Sequence, residues 1–489
     1  SHERLEKYRR RTVGGSTSAW GGRCIPFDPV DFMDRQFVAD SGWPFQYDDL
    51  DSYYRTANQI CEAGDYGYQA GQVFQDKQSE IFPGFDNEDL SSGALERWSP
   101  PTHFGKKYFD TLNQAQNLQL IYNLTCQHIQ AGENGEHIDH IRVQSPEGIV
   151  HTVKADQFIL AGGCVENTRM LLASNDVHAN GLGNQHDALG RYYMAHLWGI
   201  INKVKLNPKV LGTYMHNFER DREGVYIRRR FGLSQKAQIE EEVLNIIGFF
   251  FRPQVEDPSH NDPIMSIIHL MKERKYSPKS IFEAQALRHW GNVIKGFPRA
   301  MSQIIEISKQ RKQERRLPYV ITPKNSSTQY FYYQAEQAPN VNSRITLHPT
   351  EKDETGVPRA LVDIRFLPID LKTVKVFHQK MSERFLQTGI GDFVYDEEAV
   401  EANFEQMVNN YDSGSHHIGS TRISDDPKTG VVDRDCKVHG IQNLYVAGAS
   451  VFPTGSHANP TLTIVALALR LADKLKQSQS LKVSLSHEN

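Results

Sequence analysis

Residues 411–475 read YDSGSHHIGSTRISDDPKTGVVDRDCKVHGIQNLYVAGASVFPTGSHANPTLTIVALALRLADKL and hold the side chains best suited to chemistry. His416, His417 and His457 supply imidazoles, which can take a proton near neutral pH. Asn459 supplies an amide that can donate to an oxygen. A histidine that accepts a hydroxyl proton, beside an amide that donates to the oxygen left behind, suits removal of a proton and a hydride from an alcohol carbon. The residue types also allow plainer roles. Asn459 fits a helix N-cap, His457 fits a loop, and His416 and His417 fit core or surface positions.

The flanking pattern shows what must position these groups. Residues 443–447 (NLYVA) suit a short buried strand. Gly448 permits a turn and a close ligand approach, and Ala449 follows it. After a loop at 451–456, Asn459 falls where an N-cap belongs and Pro460 where the first helical residue belongs, ahead of Thr461 and a helix over 461–476. That helix has almost no polar face, so burial is expected. Its free N–H groups and dipole favour an anion. A second anion cradle is expected at 12–24, where Gly14, Gly15, Gly21 and Gly22 surround Ser16, Thr17 and Trp20; an ordinary flexible loop has the same composition. A third is expected at 158–174, where the strand FILAGG, with Ala161 and Gly162, passes into a helix. Strands are expected over 122–141, with a turn at 132–135, and again over 200–253 and 329–366.

Several strings are specific enough to carry a family resemblance. They are GGSTSAWGGRC (14–24), IPFDPVDF (25–32), AGGCVENTRMLL (161–172), GLGNQHDALGRYYMAH (181–196), EQAPNVNSRITL (336–347) and ANPT (458–461). Together they resemble the glucose-methanol-choline (GMC) flavin oxidoreductases, especially the sugar-oxidising, pyranose oxidase-like branch. In that family a histidine lies six residues before an arginine, which here selects His416 by its distance from Arg422. The resemblance implies His416 as general base and Asn459 as its catalytic partner. It implies FAD held by Gly14, Gly15, Ser16, Thr17, Trp20, Gly21, Cys126, Ala161, Gly162, Gly448, Ala449, Asn459, Pro460 and Thr461, with Cys126 near the adenine. Pyranose oxidases link the flavin to a histidine in the first loop; Ala19 stands at that position, which implies non-covalent FAD.

The implied fold is α/β. A Rossmann-like FAD domain (1–30, 110–195 and 425–480) interleaves with an α+β substrate domain on a mainly antiparallel sheet (31–109 and 196–424), with a helical excursion at 272–316. Members of the family begin with a strand, G-x-G-x-x-G and a helix. No such unit precedes Thr12, so the encoding frame is expected to extend upstream by roughly 70–90 residues. The implied substrate is a small alcohol or sugar, with oxygen, a quinone or a protein as electron acceptor. Two other readings stay open: a lyase on the same scaffold, and a non-catalytic homologue that has lost FAD.

Composition narrows the classes. The chain has 489 residues, more than one ordinary domain needs. A net charge of −4 and a pI near 6.6 give no electrostatic case for nucleic acid. No apolar run reaches the length of a membrane span. Five scattered cysteines lack metal-ligand spacing and suit a reducing compartment, so no metal and a cytoplasmic location are expected. Residues 272–316 carry twelve Lys/Arg against four Glu. They are expected to form a solvated helical face near the substrate entrance, broken by Pro278 and Pro298, without membrane anchoring; the partly amphipathic sequence leaves a membrane-surface or partner-docking face as the alternative.

Overall fold

The computed structural model describes residues 9–75, 77–213, 215, 218–251, 256, 258–276, 284–311, 315, 328–410 and 416–486. Its strands of three or more residues are β1 (Leu90–Trp98), β2 (Thr125–Ala131), β3 (Ile138–Gln144), β4 (Val150–Val153), β5 (Phe158–Leu160), β6 (Leu197–Leu206), β7 (Tyr226–Leu233), β8 (Ile246–Phe251), β9 (Thr328–Ala335), β10 (Arg344–Lys352), β11 (Pro358–Asp363) and β12 (Leu444–Val446). Its longer helices are α1 (Asp48–Ile60), α2 (Cys164–Ala173), α3 (Pro263–Tyr276), α4 (Ala284–Lys295), α5 (Phe297–Arg311), α6 (Pro368–Thr388), α7 (Glu397–Asn410) and α8 (Thr461–Ser486).

The largest sheet runs β1–β7–β8–β9–β6 and is antiparallel throughout, edged by the short strands Arg23–Cys24 and Gly391–Asp392. Side chains alternate across a strand, so each face has its own chemistry. On one face Phe231, Phe250, Phe331 and Tyr333 pack against Val374, Phe377, Met381 and Phe385 of α6 and Val400 and Phe404 of α7. The alternate positions Arg228, Arg230, Phe249, Tyr332 and Gln334 belong to the other face. Glu96 on β1 stands directly opposite Arg228 on β7. The run YIRRRF therefore splits: Arg229 leaves toward Gln78 and Ser79, while its two neighbours face the site.

A second core joins the beginning of the chain to its end. Leu50, Tyr54 and Ala57 of α1 share a cluster with Leu462, Ala466, Leu467 and Leu471 of α8, and Cys24, Phe27, Phe32, Trp43 and Cys61 belong to it. Beside this core lies the parallel pair β5–β12, and next to that the antiparallel meander β2–β3–β4. A parallel pair and a dominant antiparallel sheet in one chain agree with the expected architecture.

Two local expectations are corrected. The first ladder bond of α8 runs from Ile464 N–H to the Pro460 carbonyl, 2.9 Å, so Pro460 rather than Asn459 holds the cap position. That helix also extends to Ser486, and Ala468 and Ala472 are exposed rather than buried. The excursion does break beside Pro298, between Lys295 and Phe297, but Pro298 itself is helical. It is the second residue of α5, where its missing N–H costs no ladder bond. Pro278 lies outside the described residues. Among the described residues, no helix is long and apolar enough to cross a membrane.

Candidate active site

A glycine turn follows each member of the parallel pair. Asn167 of α2 holds the two turns together. Its Oδ1 accepts from Gly162 N–H at 2.8 Å, and its Nδ2 donates to the Ala447 carbonyl at 3.1 Å and to Ser450 Oγ at 3.2 Å. Gly163 and Gly448 have φ of +85° and +120°, a backbone state that favours glycine. A Cβ on Gly163 would meet nothing within 4 Å, and one on Gly448 would meet only Asn167 Nδ2 at 4.0 Å. The space above both turns is open. This is the carboxyl edge of a parallel pair, where α/β folds take dinucleotides. Ala161, Gly162, Gly448 and Ala449 are therefore placed to hold an elongated anionic group.

The 12–21 loop begins close by. Arg9 Nη1 bonds Glu166 Oε1 in the first turn of α2 at 2.7 Å. Burial opposes ionisation of Glu166, but Arg9 and Arg169 hold its carboxyl below the usual range. Gly15 and Gly21 have open space where a Cβ would stand. Gly14 does not: its Cβ would lie 2.1 Å from the Gly105 backbone, so close packing already requires glycine there. Trp20 Nε1 donates to the Thr102 carbonyl at 2.9 Å, and Thr17 Oγ1 accepts from Phe104 N–H at 3.2 Å. Cys126 sits on β2, whose Ile129 N–H bonds Ser174, tying that strand to the far end of α2 from the glycine turns.

The histidine is set by a register. Met194 and Ile418 form an antiparallel bridge, which puts residue 196 directly across from residue 416. On its other side the same segment is held by Thr421 N–H bonding the Ser450 carbonyl at 2.8 Å. His416 Nδ1 lies 2.6 Å from His196 Nδ1, and His416 Nε2 lies 3.1 Å from Asn459 Nδ2. Asn459 does not cap α8; its amide turns to His416.

The hydrogen bonds run in one direction. Arg23 has only donors, and its Nη1 gives to Gln334 Oε1 at 3.0 Å. Gln334 Nε2 then donates to the His457 carbonyl at 2.5 Å and, at 3.5 Å, to Asn459 Oδ1. That leaves Asn459 Nδ2 to donate to His416 Nε2. At the far end His196 Nε2 lies 2.8 Å from the Ser456 carbonyl, which can only accept. His196 must therefore carry its proton on Nε2 and offer a lone pair on Nδ1. His416 donates to that lone pair from Nδ1, and its own lone pair stays on Nε2, facing Asn459.

Electrostatics keep these rings neutral. Burial, then His196, Arg23 and His417, push the His416 pKa well below its ordinary value. Burial takes His196 down to about 4. His457 is also lowered to about 4, by burial and by Arg230. Its Nε2 sits 2.6 Å from Arg230 Nη1 and 3.0 Å from Asp28 Oδ2, so it serves a buried ion cluster and not the base. Arg23 and Arg228 share Glu96, whose carboxyl they hold low against burial. Three guanidiniums against two carboxylates leave the site with a positive bias. His417 points elsewhere, with Nδ1 2.5 Å from the Tyr193 hydroxyl. Arg422, used above only for spacing, is buried over the Tyr192 ring and bonds the Asp40 carbonyl.

The structure thus brings His416 and Asn459 together, and Ala161 and Gly162 beside Gly448 and Ala449. His196, Gln334, Arg23, Arg230 and Asp28 escaped sequence reasoning. Their signals were the arginine run at 228–230, the histidine closing the string 181–196, and the strings 14–24 and 25–32, which contain Arg23 and Asp28; Gln334 had none.

A family model described as GMC oxidoreductase matches residues 339–468, the span that contains His416 and Asn459. Paromamine 6'-oxidase of Streptomyces fradiae is 36% identical over 135 residues, 27% of this chain and 23% of that protein. At full length, 2-methyl-1,2-propanediol dehydrogenase of Mycolicibacterium austroafricanum is 21% identical over 96% of this chain and 81% of its own. Residues 339–468 belong to the GMC oxidoreductase family. Fructose dehydrogenase large subunit of Gluconobacter japonicus matches at 21% identity over 95% of this chain and 80% of its own. Among solved structures, a formate oxidase superposes with a TM-score of 0.51 over 96% of this chain and 85% of its own, at 15% identity. An FAD-dependent oxidoreductase from Chaetomium thermophilum gives 0.52 over 96% and 87%, also at 15% identity. At that identity these two matches speak for the fold alone.

Proposed function

We propose that this GMC protein is an FAD-dependent oxidoreductase acting on CH–OH groups, and that its substrate is a sugar or sugar derivative. The observation that carries the reading is the His416 Nε2–Asn459 Nδ2 contact, fixed from both ends by one-way hydrogen bonds. A hydroxyl both donates and accepts, so it can replace that contact without leaving either group unsatisfied. Its proton goes to His416 Nε2, which is neutral and oriented to take it. Its oxygen accepts from Asn459 Nδ2 as negative charge grows there. The guanidiniums of Arg23, Arg228 and Arg230 favour that charge. The proton gained by His416 is shared through Nδ1 with His196, a positioning residue.

FAD, when bound, supplies the redox chemistry by accepting the carbon-bound hydrogen as hydride. The open space at Gly163 and Gly448, with that at Gly15 and Gly21, fits such a group. Asn459, Pro460 and Thr461 at the start of α8 bring partial positive charge toward it. Ala19 offers no side chain for a covalent link, so FAD is held non-covalently. In this division of labour residues 1–30, 110–195 and 425–480 serve the cofactor, and 31–109 and 196–424 serve the substrate. The names of relatives that act on paromamine, 2-methyl-1,2-propanediol and fructose support a polyol or sugar.

The deciding experiment is the absorbance spectrum of the purified protein, followed by anaerobic addition of candidate sugars. Flavin bands at about 370 and 450 nm, with the latter bleached by a sugar, are expected. A protein without flavin bands, even after incubation with FAD, would sink the reading. Product formed without bleaching and without any acceptor would point to lyase chemistry. Oxygen, a soluble quinone and a redox protein, tried in turn, would identify the acceptor.

A further inference from the structure

The helices α3, α4 and α5 pack on one another, and α4 and α5 are joined through the single residue Gly296. On α4 and α5 the positions that are buried are small or polar. Ala286 and His289 of α4 and Ala300 of α5 are buried. Their outward positions are large and apolar. On α4, Leu287, Trp290 and Ile294 are 61, 43 and 73% exposed. At 3.6 residues per turn these three fall within an arc of about 60°. On α5, Phe297, Met301, Ile304 and Ile305 are exposed and fall within an arc of about 100°. Ile294 and Phe297 adjoin across Gly296, so the two stripes follow one another. A solvated polar face is not what the structure shows, and exposed apolar surface of this extent marks an interaction site.

The charges around the stripes say what kind of surface covers them. Arg288 and Lys295 are exposed on α4, and each is the immediate sequence neighbour of a stripe residue; Lys309 is exposed on α5. Helix α4 contains no acidic residue. Residues 272–316 carry twelve Lys/Arg against four Glu, although the whole chain has a net charge of −4. Arg288, Lys295 and Lys309 thus put positive charge beside the apolar stripes. Apolar side chains including a tryptophan, bordered by cations, match a bilayer with anionic headgroups. The stripes enter the acyl boundary and the lysines and arginines reach the phosphates.

We infer that α4 and α5 form a membrane-surface docking face, on which the protein lies against an anionic lipid bilayer without crossing it. The inference is independent of the redox reading.

Vesicle flotation of the full chain tests it. Vesicles of phosphatidylcholine alone are compared with vesicles containing phosphatidylglycerol, at about 0.15 M salt. Binding to the anionic vesicles is expected, with a loss of about tenfold or more on neutral ones. The pair Ile294→Asp and Ile305→Asp, and separately Lys295→Glu with Lys309→Glu, should lower binding as strongly while leaving the melting temperature unchanged. Should these variants fail to fold, brominated lipid offers an independent measurement. It should quench tryptophan fluorescence of the parent protein and not of Trp290→Phe. No flotation with anionic vesicles overturns the inference, as does flotation that survives both pairs, or quenching that persists in Trp290→Phe. A dimer in light scattering that becomes a monomer on Ile294→Asp, with no vesicle binding, would assign the face to a second copy of the chain instead.

Discussion

His416 has two ring nitrogens, and catalysis needs the lone pair on the one that faces substrate. The structure puts it there by fixing both neighbours. Replacing His416 with alanine is expected to lower turnover by about 10²–10⁴, with flavin content unchanged in the absorbance spectrum. Alanine at His417 or His457 should cost less, because neither reaches Asn459. His196→Phe removes the partner on Nδ1 and frees the tautomer; turnover should fall about tenfold or more with little change in KM. The pH profile separates this from loss of structure. Because the folded-state pKa of His416 is depressed, its base form survives as pH falls past the ordinary histidine value. The acid limb of kcat/KM should therefore lie well below about pH 6.5. His196 touches His416 Nδ1, so the limb should move in His196→Phe; an unmoved limb would deny His196 the role. The pair His416–Asn459 was legible because family spacing singles out both residues. His196 was not, since it lies 220 residues from His416 and only the Met194–Ile418 bridge makes them neighbours.

Elements carry two further tests. The turn after β12 needs a left-handed residue at Gly448, and a methyl there would stand over the open edge. Gly448→Ala should lower stability by about 1 kcal/mol and weaken FAD binding in a titration with apoprotein. Unchanged affinity would move the cofactor away from this edge. In α6, His378 is buried against the large sheet; its Nδ1 bonds the Val374 carbonyl at 2.8 Å and its Nε2 has no partner. Burial lowers its pKa to about 4. The unfolded chain therefore takes up a proton first as pH falls. The associated stability is present above about pH 6.5 and is lost toward pH 4, at about 1.4 kcal/mol per unit. His378→Met should remove that slope, which urea unfolding at several pH values would show. Short glycine-bounded strands and the start of α2 could be read from pattern alone. The polar face of the large sheet could not, because an arginine run looks solvated until Glu96 is found opposite Arg228. The stripes on α4 and α5 were only partly legible: the segment reads as partly amphipathic, but its high count of Lys and Arg favoured a solvated face over a docking face.

At the scale of the whole molecule, the same chain ends that build the second core supply the base, its partner and the glycine edge. Acid or heat denaturation should release FAD into the supernatant, since its site depends on segments hundreds of residues apart and Ala19 provides no covalent link. Flavin that stays with the precipitate would reveal a bond elsewhere. The general architecture was legible through the family resemblance carried by strings such as AGGCVENTRMLL, with strand–glycine–helix patterns agreeing locally. The way α1 lies along α8 was not, because no local pattern encodes a contact between the two ends. That closure has a consequence for synthesis. Trp43 bonds Thr454, 411 residues later, at 2.8 Å, and its ring packs with Phe27, Phe32 and Phe452. At about 5–20 residues per second, these early aromatics leave the ribosome about 20–80 s before the segment that covers them. For that interval the nascent chain carries a ready-made sticky patch, and its yield in a cell should depend on holding chaperones and on translation speed more than on the stability of the finished fold.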